Sequence, residues 1–316
     1  MTSLSLNPLS SSYYLSIGGA YIRLWHKQRG LLAEIPPCVV VDRQTGELKL
    51  YGQDAADIEG RVPPHLEFWR VWSADTLIDR QLLRSLLAYA LGFQTQSETE
   101  RWERAIGTTI ILPETISPLH RKWLLHTARE AGWWYTKVST MTQPFLVANP
   151  TNSAAIQGIF DLGFSSARLV LYMGKEVLLV ASDSQLSLQN VASEFSQFLR
   201  NTQKREIIPQ VFYDQHWLKT RFMFDLTKNE PTQYTPTSRD WQTVLNEYQD
   251  NVRHFLQQAI AQLSDAQQAD MSRSTIWLIG GAATLLSDVP LETWPIRLKP
   301  SSDAAYASLR MMSKQR

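Results

Sequence analysis

Three short glycine-bearing turns hold the residues of this chain best suited to chemistry. They are Ser16 to Ala20 with Gly18 and Gly19, Asp161 to Ser166 with Gly163, and Gly280 to Ala283 with Gly281. Backbone N–H groups can grip a phosphate chain only where no Cβ blocks the approach, and glycine leaves that path open. Asp161 adds a carboxylate able to organise a metal ion or its water, and Ser165 adds a hydroxyl. The plain alternative for each glycine is a tight turn without a ligand. For Asp161 it is an Asx-type cap of its own turn.

The elements that must position these turns repeat along the chain. Tyr14 to Trp25 (YLSIGGAYIRLW) reads as strand, glycine turn, strand, and Ile156 to Val180 as strand, acidic glycine turn, strand, Met-Gly-Lys turn, strand. Two such units imply a duplicated architecture with something held between the halves. The third turn follows Thr275 to Ile279, a short buried-type strand running into Gly280-Gly281, after which Ala282 to Leu286 can begin a helix.

Strands are also predicted over residues 31–41, Leu48 to Tyr51, Thr108 to Leu112 and Trp133 to Thr140. Asp75 to Gly92 carries Leu77, Ile78, Leu82, Leu86, Tyr89 and Ala90 at helical spacing and predicts one amphipathic helix. Ser117-Pro118 has the form of an N-cap with proline at the first helical position, opening a helix that runs to Gly132. Helices are expected over Asp54 to Gly60, Gln143 to Ala148, Leu188 to Arg200 and, longest, Trp241 to Leu263. Glu98 to Arg104 is charged and expected to be exposed, Thr151-Asn152-Ser153 suits a domain boundary, and the polar stretch 201–240 is expected to be the least regular.

Composition narrows the function classes. With 44% hydrophobic and 19% charged residues in 316, the chain is a globular protein of two domains or one large one. The formal net charge of +1 gives no overall drive toward nucleic acid, and the Lys27 to Gly30 run is too short for a nucleic-acid patch. Cys38 stands alone and no apolar run is long enough to cross a bilayer, so a reducing, cytoplasmic setting is expected. The start of the chain reads as a short polar tail and not as a signal peptide. The histidines show no metal-binding spacing with cysteine or carboxylates, and Ser165-Ser166 lacks the flanking glycines of a nucleophile elbow.

The order of the three turns, with the strands and helices between them, resembles the actin-like ATPase superfamily. Within it the likeness is to the bacterial MreB family of rod-shape-determining proteins more than to actin itself or Hsp70. Nearly the whole chain is covered. IRLWHKQRGLLAEIPPCVVVDRQTGELKLYGQDAADIEGR is similar to the family's strand pair, corner, Val-rich strand and acidic, Ala-rich helix. TIILPETISPLHRKWLLHTAREAGWW is similar to its strand-Pro-helix segment, closing on Ala131-Gly132, and KPSSDAAYASLRM resembles its final segment.

The resemblance implies an α/β chain with a duplicated actin-like (ribonuclease H-like) fold, two lobes around a nucleotide cleft. Domain I would span 1–145 with a small subdomain at about 33–70; domain II would span 146–316 with a small subdomain at about 182–240 and a C-terminal helix returning to domain I. It implies ATP and Mg²⁺ as ligands, with Gly18, Gly19, Asp161, Gly163, Ser165, Gly280 and Gly281 around the nucleotide and Asp161 on the metal side. Gln210 and Lys219 are candidates beside adenine. The family's first turn opens with an Asp, here Ser16, and its second continues with glycines and Thr, here Phe164, Ser165 and Ser166, with Phe164 expected to crowd the phosphates. The position of the water-orienting carboxylate falls on His120, whose neutral imidazole could position water.

Losing one such carboxylate costs about 3 to 4 kcal/mol of barrier, so a weak ATPase at most is expected. The function implied is that of a nucleotide-binding, filament-forming protein of cell shape or cell-wall organisation, lying in the cytoplasm or at the inner face of the membrane. Filaments need self-association through interfaces that do not close. Other partners would be cell-envelope or cytoskeletal proteins, whereas residues 1–12 lack the basic face of a membrane-surface helix. Ser16, Phe164 and His120 all favour the alternative, a non-catalytic actin-like scaffold or assembly adaptor. A sugar or acetate kinase would need a substrate-binding insertion with a catalytic Asp, for which the chain shows no convincing candidate.

Overall fold

Two five-stranded sheets of one topology organise the chain, one in each half of the sequence. The computed structural model describes residues 12–73, 76–77, 79–113, 115–134, 136–140, 155–174, 176–204, 207–208, 222–225, 230–233, 239–271, 274–286 and 294–300. The chain divides into two compact units, with the first sheet in one and the second sheet in the other.

In the first unit β1 (Tyr13–Ile17), β2 (Ile22–His26) and β3 (Gly30–Ile35) form an antiparallel meander. β4 (Cys38–Asp42) and β5 (Leu48–Tyr51), then α1 (Gln53–Asp57) and β6 (Leu66–Arg70), follow, and these strands make a small sheet in the order β5-β4-β6. A ribbon of β7 (Trp72–Ser73) and β8 (Thr76–Leu77) leads to α2 (Arg80–Gly92) and α3 (Glu98–Gly107). The chain then re-enters the main sheet as β9 (Thr108–Leu112), crosses through α4 (Pro118–Glu130) and returns as β10 (Lys137–Thr140). The order is β10-β9-β1-β2-β3, with β9 parallel to both β1 and β10.

The second unit repeats the plan. β11 (Ile156–Leu162), β12 (Ala167–Met173) and β13 (Glu176–Asp183) form the meander, followed by α5 (Leu188–Gln203). β14 (Ile207–Ile208), β15 (Phe222–Asp225) and β16 (Glu230–Gln233) make a small antiparallel sheet. After α6 (Arg239–Ile260) and α7 (Asp265–Met271), β17 (Thr275–Ile279) enters parallel to β11; a 3₁₀ turn over Gly281–Leu286 follows, and β18 (Leu298–Pro300) lies beyond β17. The order β13-β12-β11-β17-β18 matches that of the first sheet strand for strand. The duplication expected from the repeated turns is therefore a duplication of whole sheets.

Burial explains why the sheets hold. Central strands with a parallel neighbour are covered on both faces and read as nearly continuous apolar runs, as β9 and β11 do. Leu15, Ile17, Ile22 and Leu24 share a core with Leu83, Leu86 and Leu87 of α2 and Leu124 of α4. Trp133 is fully buried there, and its indole N–H donates to the Leu87 carbonyl at 3.0 Å. In the second unit Phe160 of β11 stacks on Phe255 of α6 with ring centroids 6.0 Å apart, and Phe195 of α5 meets Trp241 of α6 edge-on at 5.1 Å.

Gly158 is closely packed in that core. A Cβ there would stand 2.6 Å from both the Val170 carbonyl and Leu171 Cδ2. Gly158→Ala is expected to cost about 2 kcal/mol through overpacking, read as a lower urea midpoint at unchanged m-value.

The structure departs from the sequence expectations in several places. The strand expected over 31–41 is two strands, Gly30–Ile35 and Cys38–Asp42, which belong to different sheets, and the strand expected from Trp133 begins at Lys137. The helix expected from Asp75 starts at Arg80, because Asp79 takes an extended backbone and its carboxylate accepts the Leu82 N–H at 2.8 Å, while Thr76-Leu77 pair as a strand. The charged segment Glu98 to Arg104 is a helix whose Glu100 and Arg104 are buried, at 8% and 2% exposure, because each supplies the other's counter-charge. Most of the stretch 201–240 lies outside the described residues; its described part holds the end of α5, the β14-β15-β16 sheet and the start of α6. Gln143 to Ala148, Thr151 to Ser153, Gln210, Lys219 and the segment after Pro300 lie outside the described residues.

Candidate functional site

Parallel strands place their carboxyl ends at one edge of a sheet, and in open α/β sheets that edge is where ligands bind. All three glycine turns stand at such ends. Gly18 and Gly19 follow β1, Gly163 follows β11, and Gly280 and Gly281 follow β17.

The first two turns are the same object. Gly18 N–H donates to the Tyr21 carbonyl at 3.0 Å, and Gly163 N–H donates to the Ser166 carbonyl at 3.0 Å, leaving Gly19-Ala20 and Phe164-Ser165 at the tips. Both glycines sit where a Cβ would press on that carbonyl, at 3.3 Å for Gly18 and 2.8 Å for Gly163. The register continues the match, since Ser16 lies opposite Arg23 and Asp161 opposite Arg168. Opposed residues of an antiparallel pair share one face of the sheet. Ser16 thus holds in the first unit the place that Asp161 holds in the second.

The acidic turn is firmly anchored. Asp161 is 7% exposed and its Oδ2 accepts from Arg168 Nη1 at 3.1 Å. The carbonyls of Gly163 and Phe164 accept the N–H groups of Leu188 and Gln189 at 3.1 and 3.0 Å, which occupies the start of α5; Ser187 Oγ caps it by accepting the Asn190 N–H at 3.1 Å. Phe164 is 7% exposed, so its ring is covered by protein. Ser165 and Ser166 are also buried, and neither Oγ has a hydrogen-bond partner among the described residues. Two orphaned buried hydroxyls beside a glycine turn are what an oxyanion would satisfy.

The third turn closes on the second. Ile279 lies beside Asp161 in the parallel register, and Gly280 has φ +94°, a conformation that glycine adopts freely. A Cβ on Gly280 would fall 2.3 Å from the Leu162 carbonyl oxygen and 2.5 Å from Asp161 Oδ1, whereas one on Gly281 would meet nothing within 4 Å. The structure thus brings Asp161, Gly163, Ser165 and Gly280 together in the second unit, with Gly281 adjoining an open space. Gly18 and Gly19 form the corresponding turn of the first unit.

His120 belongs to the first unit, in the first turn of α4. Its backbone N–H donates to Ser117 Oγ at 3.1 Å, as the N-cap reading required, and its ring lies 5.6 Å from that of Trp123. The residues that sequence reasoning passed over are Arg23 and Arg168. The signal was present, because each follows its turn glycine at the same spacing, Gly18 to Arg23 and Gly163 to Arg168.

As a test of the expected ligands, the turns suit a phosphate group: glycine approaches, open space at Gly281 and unpartnered serine hydroxyls. Toward a metal they offer one carboxylate, Asp161. Among the described residues no three His, Cys, Asp or Glu side chains gather, and the turn's one carboxylate is bound to Arg168.

Two meander-plus-parallel sheets, each presenting a glycine turn at the end of its central strand, define the duplicated actin-like fold. The solved structures with this fold include MreB5 of Spiroplasma citri bound to ADP, which matches with a TM-score of 0.78 at 14% identity over 95% of each chain. The same protein bound to AMPPNP matches at TM-score 0.78 and 14% identity, covering 96% of this chain and 95% of that one. A MamK double helical filament matches at TM-score 0.68 and 12% identity, covering 96% and 98%. No protein-family model matches the sequence, and no curated protein does.

Proposed function

We propose that this chain is a nucleotide-binding, filament-forming actin-like protein with little or no nucleotide turnover. The observation that carries the reading is the repeated phosphate-type turn, Gly18-Gly19 in one unit and Gly163 with the buried Ser165 and Ser166 hydroxyls in the other, where Gly280 packs against Asp161 and Leu162. The likeness to structures holding ADP and AMPPNP and to a double helical filament supports it. ATP is the expected nucleotide, its phosphates held by turn N–H groups and Ser165, its nucleoside side by the open backbone at Gly281. Cell shape or cell-wall organisation is the process that fits a protein of this kind, acting in the cytoplasm or on the inner membrane face.

A second reading, a scaffold or assembly adaptor that has lost turnover, is favoured by specific residues. Ser16 stands where a carboxylate would organise metal and water, and Asp161 is engaged by Arg168. The two readings separate in one set of measurements on the full chain. Calorimetric titration with ATP is expected to show binding, and sedimentation with ATP to show pelleting above the nucleotide-free control. Phosphate release is expected to be about a hundredfold to a thousandfold slower than in an actin-like ATPase with both carboxylates, following the barrier estimate for a lost group. No binding at millimolar nucleotide sinks the filament reading and leaves the adaptor; ATP-dependent pelleting sinks the adaptor.

A further inference from the structure

The carbonyl side of the second turn is fixed by a helix. The carbonyls of Gly163 and Phe164 accept the N–H groups of Leu188 and Gln189, the first two residues of α5, at 3.1 and 3.0 Å. A trans peptide unit is planar and carries its C=O and its N–H in opposite directions. No described peptide bond is cis. The N–H groups of Phe164 and Ser165 share peptide units with those two carbonyls, so both point away from α5. Two neighbouring donors are thereby aimed to one side of the turn. Ser165 and Ser166, 8% and 6% exposed, add two hydroxyls with no hydrogen-bond partner among the described residues.

The electrostatics run in the same direction. α5 is 16 residues long, and the positive end of its dipole stands against the two carbonyls. Hydrogen bonds in series polarise one another, so an N–H that donates to an anion makes the carbonyl of its own peptide unit a better acceptor for the helix behind it. In the first unit the backing differs. There β3 leads into β4, and the Gly19 carbonyl, which holds the place of the Phe164 carbonyl, is met by Arg70 Nη1 at 3.5 Å.

We propose that Leu188 and Gln189 are positioning residues for phosphate: their N–H groups hold those of Phe164 and Ser165 toward the ligand, and nucleotide bound at the Gly163 turn tightens the start of α5. The proposal rests on the nucleotide-binding reading above. Hydrogen exchange of the full chain, followed by mass spectrometry beside a calorimetric titration, tests it. Saturating ATP is expected to slow exchange in the first turn of α5 at least about fivefold more than in the middle of α6. Calorimetric binding without that difference overturns the proposal and leaves the nucleotide reading intact. No binding at millimolar ATP overturns both.

A pair of variants isolates the N–H itself. Proline suits the first position of a helix, and Ser187 already has the extended backbone that must precede one, with φ −74° and ψ 151°. Leu188→Pro therefore deletes the donor to Gly163 while keeping the helix start. Leu188→Ala removes the same buried side chain and keeps the donor. Thermal melts establish that both fold. Leu188→Pro is expected to bind ATP about fivefold to tenfold more weakly than Leu188→Ala. Equal affinities of the two variants overturn the proposal. If Leu188→Pro does not fold, the exchange comparison in the wild type decides alone.

Discussion

Gly280→Ala is expected to be among the most damaging single substitutions in the second unit. The residue has φ +94°, which an L side chain resists by about 1 to 2 kcal/mol. The added methyl would also lie 2.3 Å from the Leu162 carbonyl oxygen, 2.6 Å from its carbon and 2.5 Å from Asp161 Oδ1. None of these is the far end of a flexible chain except the carboxylate, so β11 and β17 must separate where they are paired. Strain and overpacking together amount to about 3 kcal/mol or more in urea unfolding. Nucleotide affinity should fall by at least about tenfold, since the displaced groups are those that frame the acidic turn. Gly281→Ala supplies the contrast. Its Cβ has room, so stability should stay within about 0.5 kcal/mol of wild type, and any affinity lost reports the approach of a ligand to that backbone. A Gly280→Ala protein as stable as wild type would remove the reason for glycine at that turn.

The strands that carry the turns were readable because buried apolar runs bounded by Gly and Pro have few other readings. Leu48 to Tyr51, Thr108 to Leu112 and Thr275 to Ile279 coincide with strands residue for residue. The start of α2 was not readable from periodicity, because Leu77 and Ile78 fit a helical stripe and only the Asp79 cap decides the matter. The β14-β15-β16 sheet was hidden by the shortness of its strands, two to four residues each, and by Pro231, which is tolerated because β16 is an edge strand. At the site, the glycines and Asp161 could be picked out from residue type alone. The arginines could not, since a single Arg in an apolar strand reads as a surface residue until its cross-strand neighbour is known. Parallel pairing of β11 with β17 brings Gly280 against Asp161 across a long stretch of chain, and no local pattern encodes it.

Glu100→Ala is expected to destabilise the first unit by about 3 to 5 kcal/mol, the cost of leaving a buried cation without its partner. Glu100 Oε1 accepts from Arg104 at 3.0 Å and also from Arg29, and its Oε2 accepts the Gln96 N–H at 3.1 Å. Arg104, 2% exposed, in turn donates to the Phe93 and Leu91 carbonyls at 2.8 and 3.3 Å, tying the end of α2 to α3. Burial alone would raise the Glu100 carboxyl above its ordinary 4.5, but the hydrogen bonds from Arg29, Gln96 and Arg104 outweigh it and hold it at about 2. The folded protein thus binds this proton less readily than the unfolded chain does, and stability rises with pH across the interval. The contribution, on the order of 2 kcal/mol, is complete above about pH 4.5 and is lost as pH falls through about 2. Glu100→Gln removes that charge while keeping an acceptor for Gln96, so it should cost less than alanine and flatten the acid limb of a stability profile measured by urea unfolding between pH 6 and pH 2. An acid limb as steep in Glu100→Gln as in wild type would assign the acid sensitivity to other carboxylates and reduce Glu100 to an ordinary helix-start residue.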